Sequence, residues 1–173
     1  MEPHATTQSE TLRTRQSLLE TFEQETATTL KLLRAYPSDQ SELQPHPRLK
    51  TARELAWLFA QEQRLAAEAL RDEMKLGGGF PAAPATFEEV VAAFERSRTQ
   101  LLEELRNGSE AQLEGTVRFF TGPKQMGDIP KTKFLWFLLH DQIHHRGQFS
   151  VYLRIAGGKV PSIYGPSADE PWS

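Results

Sequence analysis

The sequence contains no cysteine. That absence excludes disulfides, thiolate nucleophiles, cysteine-held iron–sulfur clusters and every cysteine-based zinc site. It also makes an intracellular, cytoplasmic location the expectation, since disulfides belong to oxidising compartments. Long hydrophobic runs are missing too. The longest cover residues 55–60 and 134–139, far short of the roughly 20 apolar residues that a membrane helix needs. The polar start Met1-Glu2-Pro3-His4-Ala5-Thr6-Thr7 carries no signal-peptide core. Positive charge is not in excess, with 20 Lys and Arg against 23 Asp and Glu. A basic footprint for nucleic acid is therefore absent, and neither a membrane nor a nucleic acid is an expected partner.

What remains is an ordinary globular composition: 173 residues, of which 38% are hydrophobic and 25% charged, enough to bury a core in one domain without a covalent staple. Residues 1–9 are polar and expected to form a flexible N-terminus, and residues 10–173 a single helical domain. Leu12, Leu18, Leu19, Phe22, Leu30 and Leu33 recur as on one helix over residues 10–34, which Tyr36-Pro37 ends. Thr51 and Glu54, then Thr86 and Glu89, each match a capping box. They open helices expected to run to about residues 75 and 106, stopped by Gly77-Gly78-Gly79 and by Asn107-Gly108. Residues 109–130 form a long connection, extended in part near residues 115–120. Pro130 then precedes a fourth helix over residues 131–156, capped by Gly157-Gly158. The partly apolar tail from Val160 to Pro166 is expected to pack on the helices. The fold class this predicts is all-α: a four-helix, up-and-down-type bundle without a convincing sheet.

Three of the five histidines crowd into His140-Asp141-Gln142-Ile143-His144-His145-Arg146-Gly147-Gln148. On a helix His140 and His144 share one face and can share a metal ion. Trp136, Phe137, Ile143, Gly147, Val151 and Ile155 point the same way, so the pair is expected on an apolar stripe, with His145 turned toward the flank. Gly147 in mid-helix is read as a mark of close packing or of access for a ligand. On the second helix Glu62 interrupts the apolar stripe of Leu55, Leu58, Leu65 and Ala69. It is a third metal ligand, the partner of a buried cation, or an edge residue that reaches water. Two histidines and one carboxylate suit zinc, nickel or iron.

The string from His140 to Gln148, followed by Tyr152-Leu153-Arg154, Val160-Pro161 and Tyr164-Gly165-Pro166-Ser167, resembles the DinB family of damage-inducible-type four-helix proteins. Arg53-Glu54-Leu55-Ala56-Trp57 on the second helix resembles it as well. The resemblance implies a DinB-type bundle with a long connection before the last helix and an extended C-terminal tail. It also implies a divalent metal, commonly nickel or zinc, held by one histidine of the second helix and by His140 and His144 of the last. This sequence departs from that pattern at Leu58, where the second-helix histidine is expected. Glu62, one turn on, either substitutes for it or the site binds weakly or not at all.

Some members of that family are thiol-dependent enzymes, which suits a chain that must borrow its thiol from a cosubstrate. One functional reading is thus a metal-dependent hydrolase or thiol S-transferase, with His140, His144 and Glu62 as ligands, Glu62 alternatively a general base, and a low-molecular-weight thiol as ligand. The other is a metal-free, non-catalytic bundle that binds a small molecule or protein. Arg118, Arg146 and Arg154 are either anion-binding or salt-bridged flank residues. Phe134, Leu138, Phe149 and Tyr152, on the far side of the last helix, are consistent with a homodimer.

Overall fold

The structure, a computed structural model, describes residues 4–75 and 79–172. It comprises helices α1 (His4–Arg34), α2 (Ala52–Leu70), α3 (Phe87–Asn107) and α4 (Lys131–Ile155), with strands β1 (Thr116–Gly122) and β2 (Gln125–Pro130) between α3 and α4. Both capping boxes form. The Thr51 and Thr86 backbone N–H groups each donate to the Glu54 or Glu89 carboxylate at 2.9 Å, while their hydroxyls accept from the Glu54 and Glu89 N–H groups. Each satisfies donors that a helix start leaves orphaned.

Several expectations are corrected. α1 starts at His4 rather than near residue 10, since no glycine or proline falls between residue 4 and Pro37 to break it; residues 1–3 lie outside the described residues. α2 ends at Leu70 rather than near residue 75. Asp72 turns left-handed at φ 57° and the Glu73 N–H donates to Glu68 O at 2.9 Å, the reversal that closes a helix. Gly77 and Gly78 lie outside the described residues. α4 ends as expected, with Gly157 at φ 80° and the Gly158 N–H on Leu153 O.

A sheet, not expected, is present as an antiparallel hairpin in which Val117 pairs with Ile129 and Phe119 with Gly127. Val117, Phe119 and Ile129 lie against the core while Arg118 and Asp128 face water, the alternation of a half-covered ribbon. The Phe119 ring lies 4.9 Å from that of Phe134, seating the hairpin on the first turn of α4.

The helix order also differs from an up-and-down bundle. α1 and α2 each pack on α3 and α4, so consecutive helices α1 and α2 are diagonal. Leu65 and Leu70 of α2, and Leu101 and Leu105 of α3, share one apolar cluster; Leu55 and Phe59, and Val90 and Phe94, share the other. α2 and α3 are therefore parallel, and α1 and α4 run opposite to them. Pro81 and Pro84 keep the returning segment extended, and it runs beside α2. There Trp57 Nε1 and Arg53 donate to Pro81 O and Pro84 O, each at 2.7 Å.

The two clusters are separated by a polar waist. Phe22 and Phe134 are fully buried at one end, and Phe59, Phe94 and Phe149 at the other, each contributing about 1.5–3 kcal/mol by leaving water. Between them lie buried Glu25, Thr26, Thr29, Gln63, Gln142 and Arg146. Arg146, 1% exposed, meets the Glu25 carboxylate at 2.5 Å and donates to Glu25 O at 2.9 Å. The tail completes this group, with the Tyr164 hydroxyl donating to Glu25 at 2.7 Å. Val160 and Ile163 pack on the second cluster, as expected of the tail.

Removing one member of so buried a pair leaves an uncompensated charge, a loss of about 3–5 kcal/mol. Arg146→Met is therefore expected to lower the unfolding midpoint sharply in chemical denaturation. The double variant Arg146→Met with Glu25→Leu should recover a large part of that loss.

Candidate metal centre

The rotation of α4 decides which of its side chains meet α2. The helix is apolar nearly all round, but a guanidinium cannot be buried without a partner, and Arg146 finds Glu25 on α1. The core face then runs through Phe134, Leu135, Leu138, Leu139, Gln142, Phe149 and Leu153. This corrects the expected stripe: Phe137, Val151 and Ile155 are about half exposed, and His140 and His144 are exposed. Phe134, Leu138, Phe149 and Tyr152 are core residues, not a free face. Gly147 marks no close approach, since a Cβ there would meet nothing within 4 Å. Arg118, Arg146 and Arg154 are all salt-bridged, to Asp128, Glu25 and Asp169.

With that phase His145, not the His140–His144 pair, faces α2. His145 Nδ1 lies 3.1 Å from Glu62 Oε1 and 3.7 Å from Asp141 Oδ2, one turn earlier on the same face. Ligand atoms of Glu62, Asp141 and His145 all lie within 4.8 Å of one another, a group that could hold a metal ion. Glu62, 6% exposed, forms the buried wall, whereas the Asp141 and His145 side chains remain partly open to solvent. The His144 ring stands 5.4 Å from that of His145, beside the mouth of the site. Leu58 packs on the second apolar cluster.

Glu62 Oε1 is engaged by His145, but Oε2 is buried with no hydrogen-bond partner among the described residues. Burial pushes the Glu62 carboxyl up to about 7, with the neighbouring Asp141 carboxylate pushing the same way, against the opposing hydrogen bond from His145. The Glu62 hydrogen bond in turn raises His145 above its usual value, against partial burial. Near neutrality the pair therefore retains a proton that an isolated carboxylate would have lost.

Of the expected site residues, the structure brings Glu62 into a cluster and leaves His140 and His144 outside it. Sequence reasoning passed over Asp141 and His145. Their spacing equals that of His140 and His144; the signal that separates the two pairs is Arg146, whose burial fixes the phase.

An all-α bundle that brings two carboxylates and an imidazole together across adjacent helices defines a class of small helical proteins with a metal-capable centre. The chain belongs to the DinB family, whose model matches residues 6–172. It is similar to a crystal structure of a DinB-like protein from Bacillus cereus, with a TM-score of 0.70 at 24% identity, covering 86% of this chain and 97% of that one. A DinB-like protein from Bacillus subtilis gives a TM-score of 0.65 at 17% identity, over 85% and 97% of the two chains. These likenesses show the fold. A further relative, the uncharacterized protein YrdA of Bacillus subtilis, is 50% identical over 42 residues, about a quarter of either chain (24% and 25%). Among the described residues no helix is long and apolar enough to cross a membrane.

The raised proton affinities carry a pH signature for the metal-free protein. Glu62 binds its proton more tightly folded than unfolded, so its stabilising contribution is complete below pH 4.5 and lost as pH rises through about 7. His145 extends that loss upward from pH 6.5. The melting temperature of chelator-treated protein is expected to fall by several degrees between about pH 5 and about pH 8. Glu62→Gln should flatten the lower part of that slope.

Proposed function

We propose that this protein is a metal-dependent enzyme in which Glu62, Asp141 and His145 hold one divalent first-row cation. The observation that carries this reading is the buried, unpartnered Glu62 Oε2 beside two further donors. A buried carboxylate oxygen without a partner is costly, and a cation is the partner that its charge and setting favour. The donor set of two carboxylates and an imidazole suits zinc, iron, nickel or manganese better than a soft thiophilic ion. Three protein donors leave coordination positions open.

When bound, such a cation lowers the pKa of a coordinated water or thiol into the neutral range. This chain's residues account for the rest. Glu62 gives up its shared proton on loading, so affinity rises with pH through about 7. His145 presents Nδ1 to the site, and Asp141 stands on its solvent-open side. The chain has no cysteine to act as nucleophile; water or a low-molecular-weight thiol takes that role, giving a hydrolase or a thiol S-transferase. His140 and His144, exposed on the neighbouring face, lie outside the donor set.

Elemental analysis of untagged protein, purified without nickel resin, tests this reading. About one zinc, iron, nickel or manganese per chain is expected. It should be lost in Glu62→Ala and His145→Ala and retained in His140→Ala. No metal in the wild type, even after dialysis against each of these ions, would overturn the proposal in favour of a metal-free bundle that binds a small molecule or protein.

A further inference from the structure

The polar waist holds two fully buried amides that the metal centre does not use. Gln63 is 1% exposed and Gln142 is not exposed at all. Gln63 Oε1 and Gln142 Nε2 have no hydrogen-bond partner among the described residues. Gln142 Oε1 lies 3.3 Å from the Thr29 hydroxyl, which already donates to Glu25 O at 3.0 Å. Turning the amide over does not remove the problem: its nitrogen would donate to Thr29 and its oxygen would be stranded instead. One end of Gln142 needs a partner in either orientation.

The register of the helices brings the two amides to one level. Glu62 on α2 meets His145 on the antiparallel α4. Gln63 and Gln142 therefore differ by about two residues, roughly 3 Å, along the bundle axis. Both occupy core-facing positions of their helices, Gln63 in the series Phe59, Ala66, Leu70 and Gln142 in the series Leu135, Leu138, Phe149. Thr26, which accepts from Arg98 Nε at 2.8 Å, and Thr29 line the same level from α1. Apolar clusters close the layer above and below. A donor on α4 and an acceptor on α2 thus lie at one level of the interior, with the Thr29 hydroxyl, which also accepts from Arg146 Nη1 at 3.5 Å, beside the first.

We infer that the waist of the bundle is a binding site for ordered water, held between Gln63, Gln142 and Thr29. Water satisfies the chemistry because it donates and accepts at once and needs two to four polar partners. Direct apolar packing across the same level would be close to neutral for stability, but it would not distinguish one rotation of α4 from another. A hydrated polar layer accepts only the rotation that faces Gln142 inward, a registry role known for buried polar side chains. Neither amide belongs to the metal donor set, so this inference and the proposed function fail separately.

High-resolution crystallography of the full chain, with oxygen-17 relaxation dispersion in solution, tests the inference on the wild type. The expected result is a water within hydrogen-bond distance of both Gln63 Oε1 and the Gln142 amide, and a water population that outlives surface hydration. A direct Gln63–Gln142 hydrogen bond with no water between them, or a molecule other than water at the site, overturns it. Thermal unfolding of Gln63→Leu, Gln142→Leu and the double variant gives a second reading. Each single change strands its partner and is expected to lower the melting temperature by about 2–4 °C. The double variant should regain most of that loss. Two single changes that each raise the melting temperature, and add, would show a layer without shared water.

Discussion

The burial of one guanidinium organises this molecule. Arg146 is the largest side chain among those fully removed from solvent, and a charge so placed is tolerable only with its hydrogen bonds made. Glu25 supplies both a carboxylate and a backbone carbonyl, and Tyr164 of the tail adds its hydroxyl. Three distant parts of the chain are thereby committed to one arrangement: α1, α4 and the segment after α4. The rotation of α4 follows from that commitment, and the position of every other side chain on α4 follows from the rotation.

The elements themselves were legible because their signals are local. Both capping boxes, the glycine stop after α4 and the proline ahead of it act within a few residues, and α3 and α4 begin and end almost where those signals put them. Three features were not legible, the last two for non-local reasons. Asp72 ends α2 early by adopting a left-handed conformation that its sequence only permits. The hairpin depends on Phe119 finding Phe134, a contact outside the reach of strand pattern. The parallel course of α2 and α3 depends on a crossover laid along α2, and helix periodicity says nothing about where a connection returns.

The candidate site divides along the same line. Glu62 was visible as a carboxylate interrupting an apolar stripe on a helix with one clearly apolar face. On α4 the apolar residues lie on all sides, so periodicity gives no preferred direction. Two pairs spaced four apart, His140 with His144 and Asp141 with His145, are then equivalent, and histidine content alone favours the first. The polar core residues carry the missing information. Gln142 and Arg146, also four apart, are polar residues that the fold buries, and the face they define places His145 and Asp141 beside it, toward α2.

Placing the donors on two helices, not on loops, has a chemical consequence. A loop-borne ligand can adjust to a cation, whereas Glu62 and His145 sit on backbones fixed by core packing. Their separation is set by the fold alone, and the raised proton affinities of both groups keep a proton at the pair near neutrality. For the cation proposed above, proton and cation would compete for one geometry, and the competition would be balanced near neutrality because burial raises Glu62 to about 7. A fully exposed carboxylate would release its proton too early to couple loading to pH in that range. One buried far from any imidazole would hold it too tightly to exchange. The intermediate case requires Glu62 to be deep in α2 while His145 stays near the surface of α4, and the Arg146–Glu25 pair is what holds α4 at that rotation.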